Sequence, residues 1–413
     1  MYTKLAFLFV SVFFFLNGYS ANSEKVKIQG YLYSDGKPVS IEIVNGKIAK
    51  IKRISLNPDL PKIYIAPGLI DIQINGYMGV DFSGQNLTKE DLKGAIKSLW
   101  KVGVTSFLPT VVPNEPNRLI NSFSILSELI KDEEIRKSIP GFHLEGPYIS
   151  PEQGYRGAHL EKYIRKPDWN EFAKFQEAAQ NKIKLITVAP EVEGAIPFIQ
   201  KCVQSGLIVS LGHHNGTTES ISAAVAAGAS MSTHLGNGCA NMINRHLNPL
   251  WPQLANDKLT AGIIVDGFHL NKEEVQCFYK IKGYDKTILV SDAVDLAGLP
   301  PGEYTRREKK LLLTPDNVVK FPAENVLAGA ANPISICVGN MMKFTGCSLS
   351  DAIGMASTNP AKVLRLDELG EIKTGKRADL ILFRMDGNRI VVMKTMLSGK
   401  IVYTKDLPQI TDN

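Results

Sequence analysis

From Val26 to Ile65 apolar and polar positions alternate in short runs, VKIQGYLYS and GKPVSIEIVNGKIAKI. Asn45-Gly46 stands between alternating apolar residues, where a two-residue hairpin turn needs positive φ. The same texture returns at the far end, in GEIKTGKRADLILF and RIVVMKTMLSGKIVYTK. Two β-rich pieces at opposite ends predict one small composite sheet domain, since the termini of a domain often lie close together. Between them, β-branched runs alternate with helix-length segments, the pattern of parallel strands joined by right-handed crossovers. Candidate strands cover 69–75, 105–110, 141–146, 183–190, 207–213, 231–235, 260–267 and 287–293. Eight such units predict an α/β fold, a (β/α)₈ TIM-like barrel. The expected division is 23–66 as the N-terminal part of a β-sandwich domain, 67–365 as the barrel, and 366–413 as the C-terminal part of the sandwich.

The first residues break from this pattern. Lys4 precedes an apolar run from Leu5 to Leu16, and a small polar stretch, Asn17 to Ser23, offers Ser20 or Ala21 before a cleavage point. Residues 1–22 therefore read as a signal peptide that exports the chain to a periplasm or the exterior. The run is too short for the ~20 residues that span a bilayer core, so a permanent membrane anchor is not expected. With 44% hydrophobic and 21% charged residues, the chain is neither disordered nor fibrous. Its net charge of +6 comes from 47 basic and 41 acidic residues spread without a Lys/Arg block, which argues against a nucleic-acid partner. Five scattered cysteines (Cys202, Cys239, Cys277, Cys337, Cys347) form no C-x-x-C pair and read as buried free thiols.

In a barrel of this kind the chemistry sits at the C-terminal ends of the strands. Those ends carry Asp71, Gln73 and Asn75, then Thr110, Glu145, Glu191, His213 with His214, His234, Asp266 with His269, and Asp292. Glu145, His213 and His234 end the third, fifth and sixth candidate strands, which puts all three on one rim. Two imidazoles and a carboxylate with an open position form the usual composition of a catalytic zinc site, and suit Fe²⁺, Co²⁺ or Mn²⁺ less tightly. Asp292, in LVSDA, is placed to take a proton from water and give it to a leaving amine; its bland alternative is a helix N-cap. His214 points to the opposite side of its strand from His213 and is expected to pack. There is no G-x-S-x-G elbow or Cys/His pair for covalent catalysis.

These residues also carry a family resemblance. APGLIDIQINGYMGVDFS, GFHLEGPYISPEQGYRGAH, VAPE, LGHH, THLGNG, DGFHL, SDA, LAGA and STNPAKVLRL, followed by GEIKTGKRADLILF, occur in an order that resembles the N-acetylglucosamine-6-phosphate deacetylases of the amidohydrolase superfamily. The resemblance implies one divalent metal on Glu145, His213 and His234, with Asp292 as acid and base. It further implies that His159 hydrogen-bonds the acyl carbonyl, and that Asn237, the backbone of Gly238, and His269 contact an amino-sugar substrate. A homodimer is implied as well. Gln73 and Asn75 stand where many superfamily relatives have His-x-His, which favours a single metal and leaves these amides a water-mediated contact. The chain departs from the family in GNGCANMINRHLNPLWPQ. Arg245 and His246 are reversed relative to the family's phosphate-binding His-Arg pair, and Gly236 replaces an aromatic residue. Arg245 either still reaches a phosphate or faces solvent. Three alternatives follow: an exported deacetylase of an unphosphorylated N-acyl amino sugar, another amide hydrolase of the superfamily, and a sugar-binding protein without activity.

Overall fold

Parallel strands covered on both faces read as unbroken apolar runs, because neither side meets water. Leu69–Ile74 and Val104–Val111 are buried at every position for this reason. In the computed structural model, which describes residues 24–59, 61–306, 309–322 and 326–405, they begin an eight-stranded sheet. It continues in chain order through Phe142–Glu145, Ile183–Val188, Ile208–Leu211, Met231–Ser232, Thr260–Ile263 and Thr287–Leu289. A parallel bridge between Ile74 and Ala293 closes the sheet on itself. Across that seam Asn75 N–H donates to Ala293 O at 2.7 Å and Asp292 N–H to Gln73 O at 2.9 Å. Ile70, Ile72, Leu108, Leu185, Ile288 and Val290 belong to one buried cluster that fills the barrel. The expected signal peptide lies outside the described residues.

Helices cover the outside, as the helix-length segments predict. In Lys89–Lys101 the residues Leu92, Ala95, Ile96, Leu99 and Trp100 recur at helical spacing and are all buried. Thr88 and Asp91 form a capping box at its start, which satisfies two of the donors a helix N-terminus leaves open. Among the described residues no helix is long and apolar enough to cross a membrane.

The terminal segments meet in a seven-stranded sheet. Tyr64–Pro67 pairs in parallel with Lys25–Leu32 and antiparallel with Leu380–Asp386, joining the two ends of the chain. Asn45 and Gly46 have φ of 52° and 77°, the two left-handed residues the hairpin pattern called for. Gly46 also packs so closely on Ser398 that a Cβ would lie 2.7 Å from the Ser398 carbonyl oxygen. The sheet thus folds back over a core that includes Val39, Ile41, Ile65 and Leu380.

Three details differ from the sequence reading. Four strands, Gly302–Arg306, Lys309–Leu313, Val318–Phe321 and Val326–Ala330, form an antiparallel meander inserted within the span read as barrel. The sixth and eighth strands stop early, because the chain turns into positive φ at His234 and Asp292 and leaves the ladder. The five cysteines are free, but only Cys202 and Cys337 are buried; Cys239 and Cys347 are half-buried and Cys277 is exposed.

Candidate active site

Glu145 is the last residue of its strand, and His213, His234 and Asp292 stand past the ends of theirs, where the backbone is released from the ladder. His213, His234 and Asp292 have φ of 51°, 28° and 50°, a region that side chains with a Cβ rarely adopt. Conformations of this kind persist only where surrounding structure enforces them, and they gather at functional sites. Here the enforcement is visible: Ser150 N–H donates to His213 O at 2.9 Å, Asn237 N–H to His234 O at 2.8 Å, and Ala330 N–H to Asp292 O at 3.2 Å. No helix starts at Asp292, so the N-cap alternative is not realised.

The three side chains converge. Glu145, His213 and His234 are buried, and their ligand atoms lie within 4.8 Å of one another, the only such group among the described residues. Glu145 Oε1 is 3.3 Å from His213 Nε2 and 3.1 Å from His234 Nε2, and the two imidazole nitrogens are 2.9 Å apart. His213 Nδ1 lies 3.0 Å from the Tyr155 carbonyl oxygen, which can only accept, so Nδ1 carries a proton and Nε2 is the atom turned toward the centre. Burial opposes ionisation of Glu145, but the two histidines outweigh it and hold its carboxyl well below the usual range. Burial likewise opposes charge on His234, and the Glu145 carboxylate outweighs it and raises the pKa. Two imidazoles and an ionised carboxylate, crowded and withdrawn from water, suit a transition-metal cation.

Glycines shape the space around His213. A Cβ on Gly157 would lie 2.9 Å from its Cε1, and one on Gly238 would lie 2.7 Å from its Nδ1. Both glycines have φ of 58°. His159 arrives from the same loop as Gly157, its Nε2 3.3 Å from His213 Nε2. Gly236, where the family carries an aromatic residue, has φ of 91°, and its Cβ would meet Leu270 at 2.8 Å. The left-handed backbone there is what favours glycine in this chain.

Asp292 faces the cluster. Its Oδ1 accepts from Asn75 Nδ2 at 2.8 Å and from Gln73 Nε2 at 3.2 Å, and Gln73 Nε2 also reaches Glu145 Oε1 at 2.8 Å. Gln73 thus bridges the two carboxylates and Asn75 holds Asp292. Burial, then repulsion from Glu145, pushes the Asp292 pKa up to about 7. His269 bears on the same carboxylate electrostatically, and its Nδ1 is anchored 2.8 Å from Asp266 Oδ2. Asn237 Nδ2 is buried without a protein partner, a donor left for a ligand. Arg245 is not brought to the cluster: it is exposed on the loop after the sixth strand, where its carbonyl accepts from Trp251 Nε1 at 2.9 Å. His214 packs as expected, with Nδ1 accepting from Gly216 N–H at 3.1 Å, and burial lowers its pKa to about 4.

Sequence reasoning missed the Tyr155 carbonyl and the closeness of Gly157 and Gly238 to His213. A carbonyl leaves no residue signal; Gly157 stood only as a letter within GYRGAH, and Gly238 was expected for a backbone contact with the sugar, not for its fit against His213.

The amidohydrolase family profile matches residues 64–402. The chain belongs to the N-acetylglucosamine-6-phosphate deacetylase family within the amidohydrolases. The N-acetylglucosamine-6-phosphate deacetylase of Bacillus subtilis is 30% identical over 394 residues, covering 92% of this chain and 95% of the relative. That of Haemophilus influenzae is 32% identical over 371 residues, covering 87% and 93%. The crystal structure of the Thermotoga maritima deacetylase superposes with a TM-score of 0.81 at 30% identity, covering 92% of this chain and all of that one. As an amidohydrolase the protein is an enzyme that hydrolyses amide C–N bonds.

Proposed function

We propose that the protein removes the N-acetyl group of N-acetylglucosamine-6-phosphate, or of a closely related N-acetyl amino sugar, giving acetate and the amino sugar. The observation that carries this reading is a buried His₂Glu set facing a carboxylate, Asp292, that two amides hold in place. The names of the relatives supply the substrate class. Glu145, His213 and His234 would hold one divalent cation, best matched by zinc, with iron, cobalt or manganese as alternatives. Such a cation supplies Lewis acidity toward the acyl oxygen and lowers the pKa of water at the site.

The protein's own groups do the rest. Asp292, with a pKa near neutrality, takes the proton of the attacking water and returns it to the departing nitrogen. His159 donates an N–H to the acyl oxygen as negative charge develops there. Asn237 Nδ2, the Gly238 backbone and His269, steered by Asp266, contact the sugar. Arg245 supplies a planar cation for the phosphate from the loop that carries Asn237 and Gly238. Met242 and Leu247 on that loop and Trp251 in the short helix after it are 92%, 81% and 53% exposed, an apolar surface that supports a homodimer joined near the site. The leader read in residues 1–22 supports export, which N-terminal sequencing of the mature protein tests.

The test of function is acetate release by metal-loaded protein on N-acetylglucosamine-6-phosphate and N-acetylglucosamine side by side, with Asp292→Asn as control. A preference for the phosphate ester supports the reading. Activity on neither substrate with metal bound, or undiminished activity in the Asn variant, overturns it.

A further inference from the structure

The backbone around Asp292 is held from the first barrel strand. The eighth strand ends at Leu289, so the buried N–H groups beyond it need acceptors outside a regular ladder. Ser291 N–H donates to Asp71 Oδ1 at 3.2 Å, Asp292 N–H to Gln73 O at 2.9 Å, and Ala293 N–H to Ser291 Oγ at 3.1 Å. The first strand is irregular at the same level, where its register against the second shifts between Asp71 and Ile74. There Ile74 N–H donates to Thr110 Oγ1 at 3.0 Å, and Gln73 N–H makes a longer contact, 3.4 Å, to the same Asp71 Oδ1. A short carboxylate commonly accepts from the N–H two residues on in this way. One oxygen of Asp71 therefore spans the seam of the barrel. It takes one donor from the residue before Asp292 and one from Gln73, whose side-chain amide bridges Asp292 and Glu145. Asp71, Gln73, Ser291 and Ala293 are all buried, none more than 2% exposed.

We propose that Asp71 is a positioning residue for the reaction: by accepting from Ser291 and Gln73 across the seam, it fixes where Asp292 and the Gln73 amide meet. Burial pushes the Asp71 pKa up to about 7, against hydrogen bonds from Ser291 and Gln73. An apolar side chain would avoid the cost of withdrawing a carboxyl from water, so what Asp71 contributes is an acceptor. Without it two N–H groups are left buried, and the chain on both sides of the seam must shift to satisfy them. Asp292 is sensitive to such a shift because its φ of 50° persists only while its neighbours enforce it. A displacement of about 1 Å at a reacting group costs on the order of 10²-fold in rate. The proposal rests on the acid–base role given to Asp292 above.

The experiment compares metal-loaded wild type with Asp71→Ala and Asp71→Asn on N-acetylglucosamine-6-phosphate, and repeats the pair in the Asp292→Asn background. Asp71→Ala is expected to lower kcat by about 10- to 100-fold with KM unchanged. Asp71→Asn keeps an acceptor oxygen at the same reach and is expected to hold kcat within about threefold of wild type. With Asp292 already replaced, Asp71→Ala should cost little more, because no acid–base group is left to misplace. A merely structural aspartate would lower the rate by the same factor in both backgrounds. Asp71→Ser, whose hydroxyl falls short of Ser291, carries the same test should Asp71→Ala not fold. An unchanged kcat in Asp71→Ala, an equal loss in Asp71→Asn, or a full loss that persists without Asp292 overturns the proposal and leaves the functional reading intact. An inactive wild type sinks that reading instead. A crystal structure of the alanine or serine variant reads the geometry whatever the activity: Gln73 Nε2 is expected beyond hydrogen-bonding distance of Asp292 Oδ1, and an unmoved pair refutes the idea.

Discussion

Gly238→Ala tests whether the shape of the His213 pocket sets metal affinity. The added Cβ would stand 2.7 Å from His213 Nδ1, 3.1 Å from Cε1 and 3.2 Å from Cγ. Ordinary contact begins at 3.4 Å, so the ring must retreat by about 0.7 Å, the difference between 3.4 and 2.7. The hydrogen bond from Nδ1 to the Tyr155 carbonyl, 3.0 Å long, cannot survive that shift at full strength. Metal–ligand bonds tolerate only about 0.2 Å, and disturbing an outer partner of a ligating histidine costs about 10- to 100-fold in affinity or activity. Alanine at φ of 58° also adds backbone strain of roughly 1–2 kcal/mol. Gly346→Ala separates the two effects: its φ is 73°, with nothing within 4 Å of the new Cβ. The assay is zinc affinity by competition with a fluorescent chelator, alongside urea unfolding of the apo proteins. Both variants should lose about 1–2 kcal/mol of stability, and Gly238→Ala alone should bind zinc about 10- to 100-fold more weakly. Equal zinc affinity in the two variants would refute the reasoning.

Replacing Asp292 with Asn keeps its shape and removes its proton traffic, so kcat should fall by about 10²- to 10⁴-fold with metal content unchanged; activity retained within tenfold would reassign the acid–base role. Chelation should abolish turnover and lower the unfolding midpoint, and excess zinc should restore both, since a ligand present at about 10³ times its Kd adds roughly 4 kcal/mol to the folded state. His143, whose two ring nitrogens face Thr110 and Thr187, has its pKa lowered by burial from 6.5 to about 4. The unfolded chain therefore binds more protons between those values, and the stability His143 contributes is present above pH 6.5 and lost as pH falls toward 4. In urea titrations of apo protein, wild type should lose about 2 kcal/mol more than His143→Gln between pH 7 and pH 5; parallel losses would place the proton elsewhere.

The periodicity of the chain determined the barrel. Unbroken apolar runs such as Leu69–Ile74 have no stable place except between two covering layers, and their alternation with amphipathic segments leaves few topologies open. The hairpin at Asn45-Gly46 was equally local, because the residues that tolerate left-handed φ name the turn themselves. Glu145, His213, His234 and Asp292 were legible because the barrel turns sequence position into place on one rim.

Contacts between loops were decided only in three dimensions. Whether the strands between Gly302 and Ala330 join the barrel, the terminal sheet or a meander of their own is decided by tertiary contacts such as the bridge from Ala330 to Ala293. The left-handed backbone at His213, His234 and Asp292 has no local cause, since none is a glycine, and is imposed by hydrogen bonds from Ser150, Asn237 and Ala330. The grip of Gln73 and Asn75 on the carboxylates, the glycines against His213, and the reach of Asp71 to Ser291 likewise join residues far apart in the chain. Local preference along a chain carries no record of such pairings; the packing of the whole barrel creates them.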